Sequence, residues 1–244
     1  TSINSLKKFR DKIYLFFPAR QDAAMELVDA LSSNTSANSV VELSLNELHR
    51  RNYCSITRVV DEFYSSMDAS KKQAQNKTAT RIISEHCVSR KERQFHLFGV
   101  DCTPNPRVFS PTLKDRGYVY APNTVASNKP ITIGHQYSIA AYLPEKLTAF
   151  SPPWIVPLCC DRVETSQRGI MVGMQQLSDC IQSQASFKSE LCVSMGDCAY
   201  SHPDCLWEAK KNPNQVHISR ARNNRVFNYP LDVPDPPKKR GHPK

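Results

Sequence analysis

The sequence predicts an α/β protein, a mixed β-sheet flanked by helices and preceded by a helical region. Three observations carry that prediction. Residues 1 to about 90 place apolar side chains at helical spacing. From Gln94 onward the pattern becomes short alternating or apolar runs bounded by Pro, Gly and Asp. Between those runs the chain returns to helix period, over residues 166–185 and again from about 202 to 211, so helices cross between strands.

In the helical region, Ala24, Leu27, Val28 and Leu31 form one stripe, and Ile56, Val59, Val60, Phe63 and Met67 form another. Polar stretches at Ser32–Ser39 and Ser70–Thr78 read as breaks. Ser44-Leu-Asn-Glu47 has the form of a capping box and predicts a helix start at Ser44. A DNA-binding helix-turn-helix over Leu43–Phe63, presenting Arg50, Arg51 and Arg58, and a plain helical bundle both fit this text.

Gln94–Asp101 alternates and then meets Thr103-Pro104, which predicts a strand ending on Asp101. Tyr118–Ala121 and Ile131–Leu143 read as the next two strands, and Trp154–Cys159 as a further apolar run, with Trp154 a core anchor. Ile170, Met174, Leu177 and Ile181 mark one face of a helix. Leu191–Gly196 is a strand running into Asp197, Ser201-His-Pro-Asp204 caps the next helix, and Gln215–Ser219 is the last strand. Pro230–Lys244 holds five prolines and is expected to be extended or disordered.

Composition narrows the class. Hydrophobic residues make up 40% of 244, enough for a core, and no apolar run reaches the roughly 18 residues of a membrane span. The N-terminus lacks the basic and apolar segments of a secretory signal and does not begin with Met, so the chain is expected to start inside a longer parent or to be processed. Nine cysteines, an odd number at irregular spacing in a chain without a secretory signal, read as reduced cytosolic thiols. Cys198, His202 and Cys205 imitate part of a zinc site at an unfamiliar spacing; small buried thiols are the simpler reading. The net charge of +9 is unevenly spread, with nine Lys and Arg against two acids in residues 210–244. Such a local positive field suits a polyanion.

Two acids share a local grammar. Asp101 lies in Gly99-Val-Asp101 and Asp197 in Gly196-Asp197, each after an apolar strand and before a turn or helix start. Strand ends are where α/β sheets collect ligand groups. If the two strands are neighbours, both carboxylates face one pocket, and two such charges need a cation between them. Mg²⁺ suits oxygen ligands, with Mn²⁺ as a substitute, and leaves coordination room for water and phosphate. Two such ions steady the attacking and leaving oxygens of an in-line displacement.

Four segments, in order, resemble bacterial insertion-sequence transposases of the DDE type, whose catalytic domain is ribonuclease-H-like. Phe98-Gly-Val-Asp101-Cys-Thr-Pro104 resembles the first-Asp segment, and Met195-Gly-Asp197-Cys-Ala-Tyr200 the second. His217–Arg225 resembles the Arg-rich strand that leads into an insertion, and Lys239-Arg-Gly-His-Pro-Lys244 resembles a Gly-Arg-Pro-Arg/Lys segment inside it, with His242 where Arg is usual. The resemblance implies a helical region over 1–90 as a candidate DNA-binding region, a partial ribonuclease-H-like core over 91–229, and the start of an insertion over 230–244. It implies Asp101 and Asp197 as catalytic, metal-binding residues and a third ligand, a Glu, on a helix expected beyond Lys244. The chain is therefore expected to be truncated before that Glu; Glu208, only 11 residues after Asp197, does not take the role.

The basic stretch has its own physics. Arg220, Arg222 and Arg225 alternate with Asn223 and Asn224, and guanidinium forks suit phosphate oxygens. Phe227 and Tyr229 are suited to stacking on an unpaired base. With Lys238, Lys239 and Arg240 these form the expected DNA-binding set; a solvated basic edge is the plainer reading. His135 reads as a satisfied core or edge histidine. Three functions follow: a Mg²⁺-dependent transposase working as a homodimer on transposon-end and target DNA, a remnant that binds DNA without cutting it, and another ribonuclease-H-like nuclease such as a junction resolvase.

Overall fold

Five helices lead the chain in the computed structural model, which describes residues 2–65, 68–87, 93–120, 130–143 and 154–226. They are α1 (Ser2–Phe16), α2 (Gln21–Ser32), α3 (Val40–Leu43), α4 (Tyr53–Ser65) and α5 (Ala69–Ser84). Ala23, Ala24 and Ala30 of α2 are buried against Val59 and Ile56 of α4. Short side chains let the two helices approach closely. Beside them Glu26 is buried, and its carboxylate accepts from Arg50 Nη2 at 2.9 Å and from the Arg50 backbone N–H at 3.2 Å, with Arg51 Nε at 3.3 Å. Burial raises the Glu26 pKa, but the bonds from Arg50 and the charges of both arginines outweigh it and hold the carboxyl below its usual range. Arg50 and Arg51, two of the three basic residues of the helix-turn-helix reading, are thus committed to a structural carboxylate.

Two local expectations are corrected. Ser44 starts no helix: its hydroxyl donates to Val41 O at 2.6 Å, closing α3 from behind. The N-cap lies at Ser39, whose Oγ accepts from Glu42 N at 3.2 Å. The polar stretch Ser70–Thr78 is not a break but the body of α5, capped by Asp68, whose Oδ1 accepts from Lys71 N at 2.8 Å. Its Lys, Gln and Ala residues are good helix formers despite their polarity. This helix also packs on the sheet, where Thr80 Oγ1 donates to Leu158 O at 3.2 Å and Asn76 Nδ2 to Asp161 Oδ1 at 2.6 Å.

The remaining elements are β1 (Phe95–Pro106), β2 (Gly117–Tyr120), β3 (Ile131–Tyr142), β4 (Val156–Val163), α6 (Gly169–Ile181), α7 (Ala185–Ser189), β5 (Leu191–Gly196), a 3₁₀ turn (Cys198–Ser201), α8 (Pro203–Ala209) and β6 (Gln215–Ser219). The sheet runs β4-β3-β1-β5-β6, with β2 pairing the first residues of β3 along the edge that β4 takes further on. β1/β3 and β3/β4 are antiparallel; β1/β5 and β5/β6 are parallel. Parallel neighbours need crossovers, and α6 with α7, then α8, supply them. Three antiparallel strands followed by two parallel ones joined through helices make this the ribonuclease-H-like mixed sheet that the sequence predicts.

Strand alternation sorts the side chains into two faces. Phe98 and Val100 of β1, Ala140 and Tyr142 of β3, and Cys192 of β5 meet Met174, Leu177, Cys180 and Ile181 of α6 in one core, with Phe187 of α7 stacked on Tyr142. The opposite face carries Leu97, Val193, Met195, Val216 and Ile218. Met195, Val216 and Ile218 are 44%, 48% and 51% exposed. Among the described residues, no helix packs over that row. One sequence boundary also moves: β1 does not end at Asp101 but continues to Pro106, because residues 101–106 pair with β3 as far as Gly134. Among the described residues, no helix is long and apolar enough to cross a membrane.

Candidate active site

Asp101 sits in the middle of β1, opposite Ile139 of β3. Its neighbours Val100 and Cys102 point toward α6, so the Asp101 carboxylate emerges on the open face, where it is exposed. The β1/β5 register runs Phe95↔Leu191 to Gly99↔Met195. Continued by two residues, it sets Asp101 level with Asp197 on the adjacent strand. Asp197 is also exposed and caps the 3₁₀ turn, its Oδ1 accepting from Ala199 N at 2.8 Å. That bond orients the side chain through Oδ1.

Tyr200 locks the two strand segments together. It is 1% exposed, and its hydroxyl lies 3.4 Å from Cys102 Sγ, so the turn after Asp197 is tied to the residue after Asp101. Burial pushes its phenol far above the usual range, with Cys102 adding to the rise, and it stays protonated. Gly196 is required by the same contact: a Cβ there would fall 2.7 Å from both Cβ and Cγ of Tyr200. The Gly-Asp pairing that looked like a motif in the sequence therefore has a packing cause. The role of Tyr200 was carried in the Asp-Cys-Ala-Tyr text, but nothing in that text says which way the ring turns.

The Arg-rich segment folds back toward the same turn. After β6, Arg225 N donates to Arg222 O at 3.0 Å, and Arg225 Nη2 donates to Ser201 O at 3.2 Å and lies 3.3 Å from Ser201 Oγ. Arg222 and Arg225 thereby line a cavity of about 510 Å³ beside Ala199, two residues past Asp197. Arg220 and Asn223 are exposed and do not line it. Lys238, Lys239 and Arg240 lie outside the described residues, as do Phe227 and Tyr229. His135 is buried with Nε2 3.0 Å from Lys114 O, a satisfied core histidine.

Cys198, His202 and Cys205 do not converge as ligands. Cys205 is buried in the core, and His202 Nδ1 accepts from Asp204 N at 3.2 Å to cap α8. Glu208 is held by Lys211 Nζ at 2.7 Å. Among the described residues, no group of three or more His, Cys, Asp or Glu gathers to hold a metal. Asp101 and Asp197 offer two exposed oxygen-donor groups, a donor set that fits a hard divalent cation and is short of a full coordination sphere.

The fold defines the class, a ribonuclease-H-like mixed sheet. The chain belongs to the DDE superfamily endonucleases, whose family model matches residues 14–244. No curated protein gives a significant match. Among solved structures, the chain is similar to a piggyBac transposase in a synaptic complex with hairpin DNA, seen by cryo-electron microscopy. The identity is 11% and the TM-score 0.40, over 88% of this chain and 42% of that one. The chain thus spans less than half the length of that structure.

Proposed function

We propose that the chain is the catalytic body of a DNA transposase, cleaving and joining DNA strands at the ends of a mobile element. The observation that carries this reading is the parallel β1/β5 register, which, continued past the end of β5, sets Asp101 level with Asp197, and both are exposed. These two carboxylates would hold Mg²⁺, or Mn²⁺ in its place. When bound, the ions supply an activated oxygen nucleophile and charge stabilisation for the leaving oxygen. Asp101 is held in register by the β1/β3 ladder, and Asp197 by its own cap bond, so the chain presents both groups without reorganisation. Arg220, Arg222, Asn223 and Arg225, with Lys238, Lys239 and Arg240, position the DNA. The third carboxylate comes from outside the described residues, on an element that covers the open face beside Met195, Val216 and Ile218. The active assembly is a homodimer on paired ends. The helical region over 1–90, the core over 91–229 and the basic segment over 230–244 are its working parts.

Metal binding tests the site without requiring turnover. Mn²⁺ titrated into the 244-residue chain raises its melting temperature, and Asp101→Asn and Asp197→Asn each remove the rise. An equal rise in wild type and both variants would refute the assignment. A second reading, DNA binding without cleavage, draws on the two-acid set of the described residues. Under it the chain retards duplex DNA in a salt-sensitive way but leaves supercoiled plasmid unnicked in Mg²⁺.

A further inference from the structure

The cavity beside Ala199 has a wall that the Arg-rich segment does not provide. Arg168, the residue before α6, and His202, the cap of α8, line it together with Arg222 and Arg225, as does Ile170. Three guanidinium groups and an imidazole therefore surround a space of about 510 Å³. Among the described residues, the carboxylate engaged with them is Asp204, whose Oδ2 accepts from Arg168 Nη1 at 2.6 Å. Arg222 has no ion pair among the described residues, and Arg225 is bound only to the neutral Ser201. Among the described residues the cavity is thus under-neutralised, and Asp204, although not in its lining, holds Arg168 with the kind of group an incoming anion would replace.

Its position relates it to the acids. α6 begins hard against β1: a Cβ on Gly169 would fall 2.8 Å from Cys102 Sγ, next in sequence to Asp101. Ala199, on the opposite wall, follows Asp197 by two residues. The first-turn N–H groups of Gly169 and Ile170 have no acceptor among the described residues, and Arg168 offers no side-chain cap, which adds to the positive field.

We propose that Arg168, His202, Arg222 and Arg225 form a binding pocket for the phosphodiester backbone of a DNA strand, one step along the strand from the phosphate held at Asp101 and Asp197. The proposal rests on the transposase reading and adds Arg168 and His202 to it as phosphate-binding residues, with Asp204 as the competing anion. The planar forks of three arginines suit successive phosphate oxygens.

The sign of the Asp204 effect separates this role from a structural one. The probe is a fluorescein-labelled 20-base-pair duplex, binding to the full chain being followed by anisotropy across a salt series. Arg168→Gln and His202→Gln weaken binding, and Arg168→Gln lowers the salt slope by about one unit, a loss of roughly five- to tenfold in affinity near 0.1 M salt. Asp204→Asn tightens binding, because it removes the competitor and frees Arg168. Lys188→Gln, at the far end of β5, removes the same charge and leaves the slope unchanged, which controls for net charge. Because the Arg168–Asp204 pair is half exposed and Lys188 is exposed, Arg168→Gln, Asp204→Asn and Lys188→Gln melt within about 2 °C of wild type, whereas His202→Gln also loses the cap of α8 and melts a few degrees lower. If Arg168→Gln behaves like Lys188→Gln, or if Asp204→Asn weakens binding as Arg168→Gln does, the pocket is refuted while DNA binding stands. If the wild-type chain shows no salt-sensitive binding at all, the DNA reading falls and the pocket with it.

Discussion

Gly196→Ala tests the contact that fixes the turn carrying Asp197. The added Cβ would meet Tyr200 at Cβ 2.7 Å, Cγ 2.7 Å and Cδ2 2.9 Å. The first two of those atoms are fixed by the Tyr200 backbone and χ1, so no rotation of the ring relieves the clash. Overpacking of this kind costs about 1–3 kcal/mol. Alanine regains roughly 0.5–1 kcal/mol of strand entropy over glycine. The net loss is about 1–2 kcal/mol, which for a chain of this size lowers the melting temperature by about 2–8 °C. The cause is isolated by a cycle with Tyr200→Ala, which itself costs about 3–5 kcal/mol through the buried cavity it opens. In the double variant the Gly196→Ala penalty shrinks, because Cγ and Cδ2 are gone and only the 2.7 Å approach to Cβ remains. Chemical denaturation of the four proteins supplies the cycle. Additive losses, or an unchanged midpoint in Gly196→Ala alone, would show that Tyr200 does not set the close approach.

Two further outcomes follow from burial. Burial holds His96 and His217 below the ordinary histidine value of about 6.5; Glu190 pulls His96 back up, and Arg93 pushes it down. Both are therefore neutral in the folded state, while the unfolded chain takes up protons as pH falls through that value, so stability present above about pH 6.5 is lost as pH drops below it; melting curves from pH 7.5 to 5 should fall steadily, and less steeply in His217→Gln. On the open face, Ile218→Ser should change stability by less than about 0.5 kcal/mol, whereas Leu177→Ala, in the covered core, should cost about 2–5 kcal/mol; equal losses in urea titrations would mean that the row at Met195, Val216 and Ile218 is covered in the free chain.

The sheet was legible where a strand has one buried face. Gln215–Ser219 and Ile131–Tyr142 stand within a residue of their sequence bounds because alternation and flanking breakers agree. The failures share a physical source. β1 was cut short at Asp101 because Thr103, Pro104, Asn105 and Pro106 read as a turn; pairing with β3 overrides that local preference. α5 was read as a gap because its polar residues are helix formers without an apolar stripe, and its anchorage comes from Thr80 and Asn76 bonding to distant backbone and carboxylate. At the site, the identity of the acids was visible in the flanking text, but their shared level depends on which strands neighbour each other. Arg168 was not visible at all. It lies 29 residues before Asp197, and only the crossover of α6 returns it to the strand ends.

The two acids differ in mechanical footing. Asp101 is embedded in a ladder that continues for five residues beyond it, clamped by β3 on one side, so its Cα cannot shift without moving the sheet. Asp197 lies just past the last paired residue of β5, on a one-turn 3₁₀ segment held by its own cap bond and by the Tyr200 anchor. One carboxylate is a fixed post and the other a sprung arm. Any change in spacing between bound ions as bonds form and break would be taken up on the Asp197 side, and substitutions that loosen Tyr200 would soften that arm while leaving the post untouched.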